Sequence, residues 1–326
     1  MITIVTADIH ASPNPRDAYR WKFIEETLPA LVAEHGAERV LVLGDLTEAK
    51  AGHSAELVNR LVDALAALAA HASVYLLMGN HDYLSEDVPF YRFTRHLPRV
   101  RWINDPTALT LRGLGKCLFL PHTRDLTSWV DHMHDEYDWF FCHQTFGGAD
   151  LGGRRAAGDG PPFSKNSKVV SGDVHSPQRV GPVTYVGAPY SVDFGDAFEP
   201  RVLLLEGAEM RSVPVPGPQK RLVEVPSITD LTGAEKNLRP GDVVKVRATM
   251  ETGEYSRAEA RKNIREWAAS VGVELYAVEI IAPRAAPTKM HDRHRASDEE
   301  LVRGYAKKMG KGKSTVSAGL KIMDSM

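Results

Sequence analysis

Short apolar runs alternate with amphipathic stretches through the first half of the chain. Residues 2–7 form a β-branched run, and residues 40–43 and 74–78 form two further apolar runs. Between them, residues 17–34 carry apolar side chains at helical spacing, and Ser54 precedes a second amphipathic stretch. A serine in that place is a good N-cap for a helix. The pattern predicts alternating strands and helices, with helices covering the faces of a sheet.

The pattern changes after the first hundred residues. Residues 102–205 contain short strand-like runs joined by loops, one of which is rich in glycine and arginine, at residues 147–162. Prolines punctuate residues 213–219, and a strand–helix–strand pattern follows at residues 243–281. We therefore predict an α/β protein whose domains are a main domain (1–213), a small α/β domain (220–282) and a helical tail (295–326).

Composition narrows the class of protein. The chain has 326 residues, 43% hydrophobic content and a formal net charge of −2, so contact with nucleic acid would depend on a local basic patch. Cys117 and Cys142 lie in apolar runs and are expected to be reduced core thiols. No apolar run approaches the roughly 20 residues that span a bilayer, and the N-terminus lacks the pattern of a secretory signal. A cytoplasmic protein without a membrane partner is expected.

Acidic, histidine and asparagine side chains follow five of the predicted strands at the point where each strand ends. Asp8 and His10 are two residues apart, so in an extended segment both side chains share one face. Because ligands bind outside the carboxyl ends of strands in open α/β sheets, we expect all of these side chains to meet at one edge. The candidate metal ligands are Asp8, His10, Asp45, Asn80, His143, Asp173 and His175.

This set mixes oxygen and nitrogen donors and contains no thiolate. Two metal ions about 3.5–4 Å apart need a bridging carboxylate and mixed ligands on either side. The donor types suit manganese, iron, zinc or magnesium better than a metal that prefers sulfur. Each motif alone is usually a turn or a capping pair, but the five motifs in order, including Gly-Asn-His-Asp at residues 79–82, predict a dinuclear metal site.

The ordered motifs resemble those of the calcineurin-like metallophosphoesterase superfamily. The resemblance implies a two-sheet β-sandwich flanked by helices, in which a hydroxide held between two metal ions attacks the phosphorus atom. It assigns the ligands of one metal to Asp8, His10, Asp45 and His175, and those of the other to Asp45, Asn80, His143 and Asp173. His81 would face the scissile phosphate and protonate the leaving oxygen, with Asp82 orienting its ring.

One motif departs from the family pattern. Residues 172–175 read Gly-Asp-Val-His, where Gly-His-x-His is common in the family. Asp173 would bind a metal through oxygen and add negative charge, which favours a hard ion. Manganese is therefore the expected metal, with magnesium or another divalent ion as alternatives. Alternatively, Asp173 is not a metal ligand and only caps a turn.

A narrower resemblance appears after the metal motifs. Residues 183–200 resemble the corresponding stretch of SbcD-like nucleases, the exonuclease subunits of recombination-repair complexes, including phage-encoded ones. The small α/β domain resembles their capping domain, and the tail resembles the segment that binds a coiled-coil ATPase. The resemblance implies DNA as the substrate, an SbcC-like coiled-coil ATPase as a partner, and a homodimer as a further option.

Five residues outside the metal motifs are candidate substrate contacts: Arg154, Arg155, His122, Arg124 and His53. The two arginines of the glycine-rich loop suit contact with a phosphate backbone. His122 and Arg124 follow a strand, where a plain loop explains them equally well. His53 stands where SbcD-like chains often have a Pro-Ser pair, so the segment near the site departs from their common pattern here.

Three functions compete. A DNA exo- or endonuclease subunit that acts with an ATPase is favoured over a stand-alone phosphodiesterase or phosphatase for small nucleotides. The small domain and the tail support the first function, since a small-molecule esterase of this class needs neither. A non-enzymatic metal-binding scaffold is the third, and it is poorly supported because His81 and every ligand position keep a competent residue.

Overall fold

Strands and helices alternate through the first part of the molecule, as the apolar pattern predicts. The structure, a computed structural model, describes residues 1–50, 52–85, 88–133, 136–196, 198–249, 256–281, 309 and 316–317. The chain divides into two compact units, Met1–Ile281 and Ala282–Met326. Apart from Met309 and residues 316–317, the predicted helical tail at 295–326 lies outside the described residues.

The strands of the described residues are β1 (Ile2–Thr6), β2 (Ala37–Leu43), β3 (Ser73–Leu77), β4 (Tyr83–Ser85), β5 (Val88–Pro89), β6 (Val100–Ile103), β7 (Thr107–Leu111), β8 (Gly115–Leu120), β9 (Trp139–His143), β10 (Val169–Gly172), β11 (Gln178–Val180), β12 (Val183–Tyr185), β13 (Arg201–Glu206), β14 (Glu209–Pro214), β15 (Lys220–Val225), β16 (Val243–Thr249) and β17 (Glu274–Ile281). The α-helices are α1 (Ala18–Lys22), α2 (Leu28–His35), α3 (Ala55–His71), α4 (Thr127–Val130) and α5 (Arg257–Val271). Short 3₁₀ helices lie at Pro15–Asp17, Phe90–His96, Ile228–Leu231 and Ala234–Asn237.

Two six-stranded sheets form the main part of the described structure. The first has the order β14-β13-β1-β2-β3-β6, and the second has the order β11-β12-β10-β9-β8-β7. In the first sheet β1, β2, β3 and β6 run parallel, and in the second β8, β9, β10 and β12 run parallel. The parallel strands of each sheet therefore end together, which is what brings residues distant in sequence to one edge.

Strand β2 shows how the sheets and helices pack. Leu41 and Leu43 belong to an apolar core that also contains Phe119 and Phe141 of the second sheet. Val40 and Val42 lie in a separate core shared with the helices. Because both faces are covered, the strand is apolar along most of its length. The predicted two-sheet sandwich flanked by helices is confirmed.

The helix predicted over residues 17–34 is present but is not regular. A π-helical turn at Phe23–Thr27 separates α1 from α2, and Pro29 lies just after it. Proline has no backbone N–H to donate within a helix, so the ladder must adjust near it. The segment ends at Gly36, whose φ of 60° is the left-handed conformation common after a helix.

A three-stranded parallel sheet, β15-β16-β17, follows the sandwich, and α5 packs on it. The linker between β14 and β15 ends at Gln219, which is buried. Its Oε1 accepts hydrogen bonds from the backbone N–H and the hydroxyl of Ser191, both at 3.0 Å. Lys220 then donates to the carbonyl of Val192 at 2.9 Å. These contacts join the small sheet to the loop that follows β12, while the division into domains at 213–220 stays a prediction.

The two cysteines lie in the core, as their apolar surroundings in the sequence predict. Cys117 and Cys142 are free and buried, and burial raises the pKa of each thiol to about 12. Within the described part of the chain, no helix combines the length and the apolar character needed to cross a bilayer.

Candidate metal centre

The predicted ligands lie where strands of both sheets end. The strands and their residues are β1 with Asp8 and His10, β2 with Asp45, β3 with Asn80, β9 with His143, and β10 with Asp173 and His175. The two sheets meet at His143, whose Nδ1 lies 2.6 Å from the carbonyl oxygen of Leu43 at the end of β2. A carbonyl only accepts, so Nδ1 carries the proton and Nε2 is left as the ligand atom.

The backbone at this edge adopts an uncommon conformation. Among the described residues, the non-glycine positions with positive φ are Asp8 (55°), His10 (48°), Asp45 (53°), Arg99 (58°) and Asp173 (77°). Four of these five are predicted metal ligands. Left-handed backbone at residues other than glycine costs free energy and is concentrated at functional sites. The backbone is thus bent so that the side chains of several strand ends converge.

Two glycines make room for this convergence. A Cβ atom added to Gly44 would lie 2.1 Å from Nδ1 of His143, and one added to Gly79 would lie 2.3 Å from Oδ1 of Asp45. Real Cβ atoms do not approach other atoms so closely. The Gly-Asp and Gly-Asn-His-Asp motifs therefore need their glycines for close approach, in addition to the ligands they carry.

Asp45 lies between two groups of donor atoms. Its Oδ2 is 3.6 Å from Nε2 of His10, and its Oδ1 is 3.4 Å from Nε2 of His143. The backbone N–H of His81 donates to the same Oδ1 at 2.8 Å. The two oxygens of one buried carboxylate thus face different histidines, which is the arrangement that a bridging ligand requires.

The donors gather into groups compact enough for a metal ion. Asp8, His10 and His175 form one such group, and Asp8, Asp45 and His143 form another, with the ligand atoms of each group within 4.8 Å of one another. Asp8 therefore belongs to both groups, whereas the resemblance to the superfamily assigned it to one metal only.

Asn80 and Asp173 complete the surroundings of His143. One terminal atom of the Asn80 amide lies 2.8 and 3.0 Å from the two oxygens of Asp45 and 3.2 Å from Nε2 of His143. Oδ1 of Asp173 lies 3.7 Å from the same Nε2, and the backbone N–H of Asp173 donates to Asp8 at 3.1 Å. The structure thus brings all seven predicted ligands to one place.

Buried polar atoms without partners show that these residues fit divalent cations. Oδ2 of Asp8 and both ring nitrogens of His10 are buried and have no hydrogen-bond partner. Unsatisfied buried polar atoms are costly, and a cation would satisfy Oδ2 of Asp8 and one ring nitrogen of His10. The donors are carboxylate, amide and imidazole groups, which suit manganese, magnesium, iron or zinc.

Burial also sets the ionisation of the ligands. It raises the pKa of Asp8 to about 7 and lowers the pKa of His10 to about 3, so His10 is neutral at pH 7, the form that binds a metal. Burial opposes ionisation of Asp45 too, but its pKa lies below the usual range because His143, when protonated on both nitrogens, places a positive charge and a hydrogen bond beside it. A cation bound at Nε2 of His143 would take the place of the proton on that nitrogen. A cation beside Asp8 would favour its ionised form.

His81 lies beside this centre with a defined ring orientation. Its ring centroid is 4.8 Å from that of His10, and its Nδ1 is 2.7 Å from the carbonyl oxygen of Glu48. Nδ1 must therefore donate, which leaves Nε2 for a substrate. Glu48 was not among the residues singled out from the sequence, although it follows Asp45 by three positions at the same strand end.

The role expected for Asp82 needs correction. Its carboxylate is fully buried and accepts three backbone hydrogen bonds, from Gly79 (2.7 Å), Asp45 (2.9 Å) and Leu46 (3.0 Å). The ring of His81 is instead oriented by the carbonyl of Glu48. Asp82 therefore holds the turn that carries Asp45, and it acts on the site through the backbone.

Of the candidate substrate contacts, His122 lies near the centre. Its ring centroid is 6.1 Å from that of His143, and its Nδ1 forms a 2.7 Å hydrogen bond with the hydroxyl of Tyr83. Arg124, two residues later, is exposed. Both positions are compatible with a substrate that reaches the metal centre from the side of β8.

The other three candidates are placed differently. His53 stacks on Phe90 with ring centroids 3.6 Å apart, and its Nε2 bonds Thr47 at 2.9 Å, so packing accounts for this residue. Arg155 donates to the carbonyl of Gly148 and so holds its own loop. Arg154 is exposed, and its guanidinium has no hydrogen-bond partner among the described residues.

An open cavity of about 340 Å³ adjoins the centre on the side of β10. Asp173 and His175 form part of its wall, together with Asp150, Asp193 and Asp196. The acidic residues make this cavity unfavourable for phosphate groups unless cations are bound nearby.

Comparisons with known proteins place the chain in a family. No curated protein matches it. A crystal structure of the Pseudomonas putida nuclease MPE is similar at 14% sequence identity, covering 65% of this chain and 87% of that chain, with a TM-score of 0.32. The model of the family described as calcineurin-like phosphoesterase matches residues 1–177, more than half of the 326 residues. The protein therefore belongs to the calcineurin-like phosphoesterase family and is a metal-dependent phosphoesterase.

Proposed function

We propose that this phosphoesterase is a DNA nuclease, the nuclease subunit of an SbcCD-type recombination-repair complex. The seven ligands at the meeting edge of the two sheets would hold two divalent cations, with manganese as the proposed metal. Bound cations neutralise the negative charge on the phosphoryl oxygens and activate a water molecule as the nucleophile.

The residues around the cations would have three roles, which are metal binding, proton donation and substrate contact. Asp45 would hold both cations in fixed relation, because its two oxygens face the two donor groups. His81 would donate a proton from Nε2 to the leaving oxygen, since its Nδ1 is committed to the carbonyl of Glu48. His122 and Arg124 would contact the phosphate strand beside the centre.

The observation that carries the choice of a long polyanion is a row of arginines on α5. Arg257, Arg261 and Arg265 are four residues apart and exposed, and none of them forms an ion pair with another described residue. Successive members are separated by about 6 Å along the helix axis. Such a row suits contact with consecutive phosphate groups, and a phosphoesterase for small nucleotides has no need of it.

The acidic cavity beside Asp173 and His175 favours a second candidate, a stand-alone phosphodiesterase for small nucleotides. A small substrate could reach the cations without placing further phosphates against Asp150, Asp193 and Asp196. The two candidates differ in how binding depends on salt, because only a polyanion displaces many counterions.

The experiment compares DNA binding and cleavage with hydrolysis of bis(4-nitrophenyl) phosphate over a salt series, with manganese present. Replacing Arg257, Arg261 and Arg265 by Gln should reduce the slope of log affinity for DNA against log salt by about 0.9 per lost phosphate contact. Hydrolysis of the small diester should not change. A control with the same loss of charge replaces the exposed Arg101, Arg112 and Arg211 by Gln.

The nuclease proposal fails if DNA is not cleaved while a cyclic or linear mononucleotide is turned over well. An equal loss of DNA affinity in the control variant would show that net charge, and not α5, binds DNA.

The proposed ATPase partner rests on the resemblance of the tail, residues 295–326, to the partner-binding segment of SbcD-like chains. Removing residues 297–326 should leave hydrolysis of the small diester unchanged and abolish stimulation by a coiled-coil ATPase. A gene for such an ATPase beside the gene for this protein would support the assignment. Stimulation that persists without the tail would contradict it.

A further inference from the structure

Arg20 is a buried arginine close to the metal centre. Its side chain is on α1, and the residue is only 4% exposed. One terminal nitrogen, Nη1, donates to the carbonyl of His10 at 2.6 Å and to Oε2 of Glu48 at 2.7 Å. Arginine is rarely buried unless it is paired, so these contacts account for its position.

Glu48 connects this arginine to two residues of the site. Its carboxylate, held by Arg20, lies 3.5 Å from Nδ1 of His10. Its backbone carbonyl accepts the hydrogen bond from Nδ1 of His81. A metal-binding histidine is commonly oriented by a carboxylate on its other ring nitrogen, and such partners tune the site. Glu48 therefore reaches a ligand through its side chain and the proposed proton donor through its backbone.

We propose that Arg20 is a positioning residue that acts through Glu48 on His81. By fixing the carboxylate of Glu48, it sets where the carbonyl of the same residue lies, and that carbonyl directs Nε2 of His81 towards the leaving oxygen. This inference rests on the role proposed for His81. It does not depend on DNA as the substrate.

The loop that carries Glu48 is also held in other ways. The backbone N–H of Glu48 donates to the carbonyl of Ala11 at 3.0 Å, and the N–H of Ala11 donates to the carbonyl of Leu46 at 2.9 Å. Arg20 should therefore be removable without unfolding the loop. Its loss should make the orientation of the His81 ring less well defined. The loss of a purely structural residue would not produce this effect.

The leaving group provides the diagnostic measurement. A proton donor matters most when the leaving oxygen is a poor leaving group, and least when it is a stable phenolate. The substrates are thymidine 5′-(4-nitrophenyl) phosphate, which releases 4-nitrophenolate, and the dinucleotide thymidylyl-thymidine, which releases an alkoxide. Both are small, so neither tests DNA binding.

For Arg20→Met, we expect kcat to fall about tenfold on the dinucleotide and less than about threefold on the aryl ester. The larger loss is only part of the roughly 10²- to 10⁴-fold that general acid catalysis supplies, because His81 itself is still present. Arg20→Lys should restore part of the loss because lysine can still reach Glu48. Metal content and thermal stability with manganese should stay near those of the parent protein.

A matched control is available in the ion pair of Arg60 and Glu25. Arg60 donates to the two oxygens of Glu25 at 2.6 and 2.7 Å, and both residues lie outside the centre. Arg60→Met should change neither rate. Glu48→Gln is a second variant that should fold, because the side chain of Glu48 is 47% exposed, and Glu25→Gln is its control. Glu48→Gln should shift the rates in the same direction as Arg20→Met.

A double-mutant cycle with His81→Ala tests the coupling. If Arg20 acts through His81, adding Arg20→Met to His81→Ala should cause no further loss on the dinucleotide. Equal losses on both substrates, or an undiminished loss in the His81→Ala background, would overturn the inference and leave the role of His81 intact. If His81→Ala itself shows no dependence on the leaving group, the role of His81 fails and the inference fails with it.

Discussion

At the scale of single residues, Asp45 is the position on which both donor groups depend. Its oxygens face His10 and His143. In Asp45→Ala, we expect the metal content and the hydrolysis of bis(4-nitrophenyl) phosphate to be lost together, because neither cation keeps the shared ligand. Elemental analysis of the purified variant and a rate assay measure the two effects. A variant that keeps both ions and more than a few per cent of the parent rate would contradict a bridging role.

Asp82 is expected to behave differently, because its carboxylate binds backbone N–H groups. An amide in Asp82→Asn would leave one of the three donors without an acceptor, at a cost of about 1–3 kcal/mol of unfolding free energy. Thermal or denaturant unfolding with manganese present measures the loss.

Asp125→Asn serves as the control for Asp82→Asn. Asp125 is exposed and accepts from the backbone and hydroxyl of Thr127. Because water can replace these bonds, we expect a loss below about 1 kcal/mol. Equal losses in the two variants would show that Asp82 does not hold the turn that carries Asp45.

At the scale of elements, local pattern was sufficient for the main helices and strands. Ser54 caps α3 by accepting from Leu57 at 3.2 Å, as its place before an apolar stripe indicates. The π turn before Pro29 was not predicted, because periodicity shows that a helix exists but does not show how its hydrogen bonds adjust.

The metal ligands could be proposed because each follows a strand in a short motif. Arg20 and Glu48 are 28 residues apart and carry no such motif, so only the folded chain shows that they meet. For the same reason, the backbone partners of Asp82 and the stacking of His53 on Phe90 could not be predicted from local sequence. Contacts of this kind depend on which loops the topology brings together.

Gly44, in the turn after β2, lies very close to the ring of His143. Gly44 has a φ of 86°, and a Cβ there would meet the ring of His143 at 2.1 Å. Gly36 also has a positive φ, of 60°, but a Cβ there would meet nothing within 4 Å. Both substitutions by alanine carry the backbone cost of a left-handed residue, roughly 1–2 kcal/mol.

We expect Gly44→Ala to lose activity and metal affinity beyond the backbone cost that it shares with Gly36→Ala, because only Gly44→Ala displaces a ligand. Unfolding free energy, metal affinity and hydrolysis of the small diester measure the difference. If the two variants behave alike, close approach of His143 is not the reason for Gly44.

At the scale of the whole molecule, the centre joins two sheets. The ligands near the ends of β1, β2 and β3 come from the first sheet, and the ligands at the ends of β9 and β10 come from the second. Cations bound there should therefore stabilise the sandwich as a whole, by about 2.7 kcal/mol at a concentration of one hundred times the dissociation constant.

Thermal unfolding of metal-free and manganese-loaded protein should show this increase as a higher Tm, and Asp45→Ala should show little or none of it. An increase of equal size in the variant would indicate that the ions stabilise the protein from another place. Metal-free protein should regain activity when manganese is restored.

The pairing of β1 with β13 has a consequence for how the protein is made. Ile2 lies opposite Glu206, so the N-terminal strand gains this neighbour only after more than two hundred residues have been synthesised. His175 likewise leaves the ribosome long after Asp8. Non-local pairings of this kind fold slowly, and the closing of long loops sets the rate. A nascent chain would therefore carry its first ligands without the others, and it would acquire hydrolytic activity late in translation, when the sandwich closes around the completed set.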